Sequence, residues 1–134
     1  MTTAWRGAWR RVVMPMAEKQ FKIAGSDMKP LAPGRGGCFA TDHITVDGRK
    51  VGYMYREEPD FPDDSGWRFF SGKESQDYLD DPANTMIYEV NTIANYDPSI
   101  IPLLDSAVGS AFERRGWFGK FAAVPFEPPG DEDE

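Results

Sequence analysis

Cys38 and His43 are the only cysteine and the only histidine in the chain, and they lie five residues apart. A thiol beside an imidazole is the simplest nucleophile-and-base pair. Cys38, however, opens the apolar run Cys38-Phe39-Ala40, where a free cysteine behaves as a small buried hydrophobe. A serine triad would also have to use His43, and no Gly-x-Ser-x-Gly elbow is present. Glu57, Glu58, Asp60, Asp63 and Asp64 crowd one short stretch. Carboxylates suit hard cations, but this spacing is not that of an EF-hand loop, and solvated surface charge is the simpler reading. Gly34, Gly36 and Gly37 precede a strand-like run rather than a helix, which is the wrong context for a phosphate-cradling turn. Tyr53, Tyr55, Trp67, Phe69 and Phe70 offer a stacking platform for nucleic acid, yet their spacing also suits sheet packing. A small enzyme with an unrecognised site is a further alternative, which a deep pocket joining Arg56 or Arg68 to Tyr55 or Tyr96 and converging carboxylates would favour. On these grounds no catalytic, cofactor-binding or metal-binding residue is assigned, and the chain reads as a binding protein without a cofactor.

The elements that would position these groups are short. Residues 25–37 hold Pro30, Pro33 and three glycines close to Cys38, and read as a loop. Ile44 and Val46, then Val51, Tyr53 and Tyr55, alternate with polar residues on either side of Asp47-Gly48, which predicts a β-hairpin. Residues 57–66 read as a polar loop, and 67–70 as an aromatic strand. Ser71 and Glu74 fit a capping box, with a helix running to about Leu79. Residues 86–90 read as a further strand. Asp97-Pro98 has the form of a helix start, with Asp97 as cap. A last strand is expected within 121–126. Connections this short exclude repeated βαβ crossovers. The predicted architecture is therefore a single α+β domain, a mainly antiparallel sheet with a few short helices.

Composition bounds the partners. The 134 residues suit one domain able to bury a core unaided. Residues 1–35 carry seven Lys/Arg and two Asp/Glu, whereas the rest carry eight and twenty, within a net charge of −7. Residues 1–24 thus form a basic arm, expected to be weakly structured, before a domain over 25–126 and an acidic tail over 127–134. The arm places Trp5, Trp9, Val12, Val13 and Met16 at helical spacing, interrupted by Gly7 and Pro15. An acidic body disfavours nucleic acid and anionic membranes and favours a basic protein partner. No apolar run reaches the length of a membrane span or a secretory core. One cysteine excludes an internal disulfide, and the expected compartment is the cytoplasm.

Four stretches carry a more specific signal. They are Val51-Gly52-Tyr53-Met54-Tyr55-Arg56-Glu57-Glu58-Pro59, then Asp64-Ser65-Gly66-Trp67-Arg68-Phe69 with Ser71-Gly72, then Asn91-Thr92-Ile93-Ala94-Asn95-Tyr96-Asp97-Pro98, and Gly109-Ser110-Ala111-Phe112-Glu113-Arg114. In this order they resemble the bacterial immunity protein 33 family over residues 36–115. The resemblance implies a protein that neutralises a cognate toxin of a polymorphic toxin system, and it implies no catalytic residues. A scaffold or regulatory domain without a toxin is the alternative. For partner binding the sequence offers Trp67 and Arg68 as anchors, with Glu57, Glu58, Asp63 and Asp64 as an acidic surround. Trp67 in the core, with Arg68 on a local carboxylate, is the competing arrangement. Asn91, Asn95, Tyr96 and Asp97 form a second polar cluster, at a cleft or as turn and cap formers.

Overall fold

The longest strand, β3 (Asp64–Phe70), is buried at every position, and the rest of the domain is arranged around it. The computed structural model describes residues 19–116 and 119–126. The remaining strands are β1 (Gly37–Thr41), β2 (Tyr53–Arg56), β4 (Thr85–Glu89), β5 (Ala111–Arg114) and β6 (Phe121–Ala123). They form one sheet in the order β4-β1-β3-β2-β5-β6. Only β1 and β3 run parallel; every other pair is antiparallel. Three short α-helices intervene: α1 (Asp42–Thr45), α2 (Gln76–Asp80) and α3 (Val90–Tyr96). A 3-10 helix, Pro98–Leu103, follows α3. This is the α+β fold with a mainly antiparallel sheet that the sequence predicts.

Alternation along the strands sorts side chains to two faces. Cys38, Ala40, Met54, Trp67 and Phe69 turn to the face covered by Ile44 of α1, by Val90, Ile93 and Ala94 of α3, and by Ile100 and Leu104. Phe39, Tyr55, Phe70 and Ala111 turn to the other face, where Leu79 of α2 and Phe61 join them. Lys19–Ala24, assigned to the arm by sequence, lie against the first face. Phe21 meets Tyr88 edge-on, Lys22 N donates to Thr45 O at 2.8 Å, and Ile23 N donates to the Tyr96 hydroxyl at 3.0 Å. The expectations for residues 1–18 and for the tail 127–134 lie outside the described residues.

The hairpin predicted across Asp47-Gly48 does not form. Ile44 and Thr45 are buried in α1 instead. Gly48, at φ 78°, donates to Ile44 O at 3.0 Å and so ends the helical turn. Period-two spacing over so few residues also satisfies one helical turn that buries two side chains, and tertiary packing decided between them. The loop expected over 57–66 is shorter than predicted, because β3 begins at Asp64. Half of the predicted capping box exists: Glu74 accepts from Ser71 N at 2.8 Å. The helix itself starts later, capped by Ser75, whose Oγ accepts from Tyr78 N at 3.1 Å. Asp97 does cap a helix, accepting from Ser99 N at 3.2 Å, and the helix is of the 3-10 type.

Gly52 is where the sheet tolerates no side chain. Its N–H donates to Phe70 O and its carbonyl accepts from Arg114 N, and a Cβ there would overlap the Ser71 carbonyl oxygen. Gly52→Ala is expected to lower the unfolding free energy by about 2–3 kcal/mol in urea denaturation. Gly25→Ala, whose Cβ would meet nothing within 4 Å, should stay within about 0.5 kcal/mol of the parent.

Candidate functional site

The stretch 57–68 divides into a buried half and an exposed half. Arg68 is 0% exposed, Trp67 1%, Glu57 6% and Asp64 8%, while Glu58 and Asp63 are exposed. The guanidinium of Arg68 donates through Nη1 and Nη2 to the two oxygens of Asp64, at 3.0 and 2.8 Å. Its Nε donates to Glu57, and Nη1 also reaches the Trp67 carbonyl at 3.0 Å. The guanidinium stacks over Phe39, 4.4 Å from the ring centroid. Asp64 accepts two further bonds, from Asp60 N at 2.7 Å and Gly66 N at 2.8 Å. Burial alone would push the Asp64 carboxyl up, but the Arg68 bonds and these two amides outweigh it and hold the group below its ordinary value. Burial likewise works against the Arg68 cation, and Asp64 and Glu57 more than reverse it.

A local irregularity of the parallel pair makes this geometry available. Gly37 pairs with Asp64 and Phe39 with Arg68, so two steps of β1 span four of β3. Gly66 takes φ 90° within that bulge. Ser65 Oγ bridges the gap, donating to Gly37 O at 2.6 Å and accepting from Trp67 N at 3.1 Å. Trp67 then faces the first core, stacked on Phe69 at 6.0 Å, with its indole N–H donating to Leu104 O at 3.2 Å. The two expected anchors therefore point inward, and among the candidates of this stretch Glu58 and Asp63 are the exposed acids. Asp63 sits at φ 66°, a left-handed conformation, and its carbonyl accepts from Gly37 N at 2.8 Å.

The other candidates also hold the fold together. Cys38 is fully buried, burial pushes its thiol up, and it makes no hydrogen bond to His43 among the described residues. His43 Nδ1 lies 2.7 Å from Ser71 Oγ and 3.7 Å from Glu74, and its ring packs on Tyr78. Asn91 and Asn95 bond the backbone of Lys29 and Ala32. Tyr96 bonds Ile23 N and Thr45 O, so this second cluster clamps residues 23–32 to the core. Asp97 accepts from Val51 N at 3.0 Å and from Arg114 Nη2 at 2.6 Å, a pairing across 17 residues that no local pattern announces. Tyr55 is buried on the far face, and the cavity that Arg56 lines contains neither Tyr55 nor Tyr96. That cavity is therefore not the Arg-Tyr-carboxylate pocket that would favour an enzyme. Among the described residues no three His, Cys, Asp or Glu side chains converge as metal ligands, and no helix is long and apolar enough to cross a membrane.

With this geometry in place, the comparisons with known proteins fit the sequence resemblance. The family described as "Immunity protein Imm33 domain" matches residues 38–124, and the chain belongs to it. No curated protein and no solved structure matches. The matched stretch contains the buried Glu57–Arg68–Asp64 cluster, the Asp97–Arg114 pair and the exposed acids Glu58 and Asp63.

Removing Arg68 leaves two carboxylates facing a dry interior. Arg68→Met should destabilise by about 3–5 kcal/mol in chemical denaturation, and adding Glu57→Gln and Asp64→Asn to it should recover most of that loss. The pH dependence has a definite sign. Asp64 has a depressed folded value, so its contribution is complete above its ordinary value of 3.8 and is lost as pH falls through the lower folded value. Stability measured against pH should decline below about 4, and Asp64→Asn should flatten that decline.

Proposed function

We propose that this chain acts in the cytoplasm as a non-catalytic immunity protein that binds and neutralises a cognate protein toxin. Membership of the Imm33 family across most of the folded domain carries the reading. The exposed acids of the 57–64 segment suggest the contact surface, and a net charge of −7 suits a cationic toxin. Acidic groups near a basic site raise the encounter rate and set the orientation of docking.

The buried half of the segment supports the exposed half. Asp60 N and Gly66 N are tied to Asp64, Asp64 N to Phe61 O, and Glu57 N to Gly66 O. Phe61 is pinned edge-on against Phe39 at 5.5 Å. A segment fixed this way loses little conformational entropy on docking. Trp67 and Arg68 act behind that surface as positioning residues, with Glu57 and Asp64.

The test pairs the full chain with the toxin-like protein encoded next to its own gene. Co-expression should restore growth, and the two should run as one stoichiometric complex on gel filtration. Equal killing with and without the chain would sink the reading. For the surface, Glu58→Lys together with Asp63→Asn (asparagine tolerates the left-handed conformation) should slow association with a cationic partner by about tenfold and weaken its salt dependence. Unchanged association kinetics would move the contact surface away from 57–64.

A further inference from the structure

Among the described arginines Arg49 and Arg56 are left without an acid, and Arg49 is exposed whereas Arg56 is half-buried and held in place. Its Nε donates to Ser65 O at 2.9 Å and its Nη1 to Ser106 O at 2.7 Å. Its guanidinium lies over Trp67, 5.7 Å from the ring centroid. These contacts fix the group in place but do not neutralise it, and no carboxylate lies within 4 Å of it among the described residues. Of its five N–H donors, the two on Nη2 have no described partner. Arg68 and Arg114, by contrast, each hold an aspartate.

Arg56 lines a cavity of about 250 Å³ together with Arg35, Ser65, Trp67 and Asp105. Arg35 supplies a second cation and is bridged to Asp105 at 2.6 Å. That bridge is open to water, with Asp105 86% exposed on its side chain and Arg35 34%, so little free energy holds it closed. The Asp105 carboxyl sits below its ordinary value, first through the Arg35 hydrogen bond and charge, and further through the charge of Arg56. Both cations therefore act on one point at the mouth of the cleft. With Asp105 in place the site still carries a net positive charge, on a chain with 22 acidic residues.

We propose that this cleft binds a single carboxylate group, gripped in two-pronged fashion by the fixed guanidinium of Arg56, with Arg35 as second cation and Asp105 as the internal acid that the ligand displaces. A planar guanidinium forks a carboxylate with one N–H from each of two nitrogens, and Nη1, which makes one described bond with its two hydrogens, and Nη2, which makes none, together offer that end-on edge. The volume lies below the roughly 300–1,000 Å³ of sites for drug-sized ligands, so the bound part is a small acid or one acidic group of something larger. A free carboxylic acid and an Asp, Glu or C-terminal carboxylate of a protein partner present the same chemistry.

The experiment is a titration of the full chain, labelled with nitrogen-15, followed by NMR at the arginine Nε–H and tryptophan indole resonances. Sodium acetate, sodium succinate and inorganic phosphate are compared with sodium chloride at matched ionic strength. A saturable acetate and succinate response beyond that of chloride is expected, with Kd on the order of 1–10 mM. Arg56→Gln should weaken it at least tenfold, Arg35→Gln by less, and Asp105→Asn should tighten it severalfold because the internal competitor is gone. Succinate binding tenfold tighter than acetate identifies a free dicarboxylic acid as the source, and equal binding identifies a lone carboxylate such as a protein side chain provides. Should Arg56→Gln fail to fold, Asp105→Asn and Arg56→Lys decide the matter: the first must tighten binding, and the second must weaken it by losing the fork. A response no greater than that of chloride, one unchanged in Asp105→Asn, or phosphate binding as tightly as the carboxylates overturns the proposal.

Discussion

Arg68 buried between Glu57 and Asp64 is the constraint on which the centre of this domain depends. A guanidinium at 0% exposure in the longest strand carries a large desolvation cost, and two carboxylates beside it add their own. The arrangement persists because most polar atoms in it have partners. Asp64 accepts from Arg68 on both oxygens and from two amides besides, and the aromatic face of Phe39 covers the guanidinium. Such a cluster is weak evidence for net stability, since an apolar substitute of the same shape can do as well. Its stronger effect is on geometry. The guanidinium accepts one arrangement of its partners, so the bulge in β3, the parallel register with β1 and the course of the chain from Glu57 to Asp64 are specified together.

The sheet's arginines solve the same problem in three ways. Arg68 is neutralised internally and turns to the far face. Arg114 stays partly open to water, bonds Asp97, Ser99 and the Val51 carbonyl, and stacks on Phe121. It thereby ties the 3-10 helix to the strands on either side. Arg56 is held by backbone carbonyls and an indole alone. Strand alternation explains part of the contrast, because Arg56 pairs with Trp67 across the sheet while Arg68 pairs with Tyr55, so the two guanidiniums leave from opposite faces. A cation held by neutral groups keeps its field, and a cation held by carboxylates does not. That difference, rather than exposure, is what the proposed carboxylate site at Arg56 draws on.

Sequence reasoning read the elements better than their partners. The strands at 67–70 and 86–90, the Asp97 cap and the α+β class are local matters of alternation, aromatic content and capping chemistry, and they were legible. The Asp47-Gly48 turn was misread because a left-handed glycine ends a helical turn as readily as it makes a hairpin. The helix α3 went unseen, since Asn91, Thr92, Asn95 and Tyr96 have modest helix propensity and the side chains of Asn91, Asn95 and Tyr96 are spent on residues 23–32. Within 57–68 the residue types were noticed, but their direction was not. The irregularity at Gly66 gives β3 four steps against two of β1, which keeps the alternation but sets which residue of β3 lies opposite Phe39, and no local periodicity announces it. Arg56 with Asp105, and Asp97 with Arg114, are pairs made by topology and leave no local trace.

The same constraint bears on how the binding surface proposed at 57–64 is built. An inhibitory surface benefits from acids that are exposed and from backbone that is fixed, and those demands conflict in an ordinary loop. The stretch 57–64 meets both by dividing them among neighbouring residues. Pro59 and Pro62 restrict the chain from outside. Phe61 anchors it against Phe39, Asp64 captures its amides, and the Asp63 carbonyl is bound to Gly37 N. Glu58 and Asp63 are left in solvent on a backbone that has few ways to move. The acids that look alike in the sequence are thus of two kinds. Glu57 and Asp64 hold a cation inside the domain, and by doing so they set the direction in which Glu58 and Asp63 face outward.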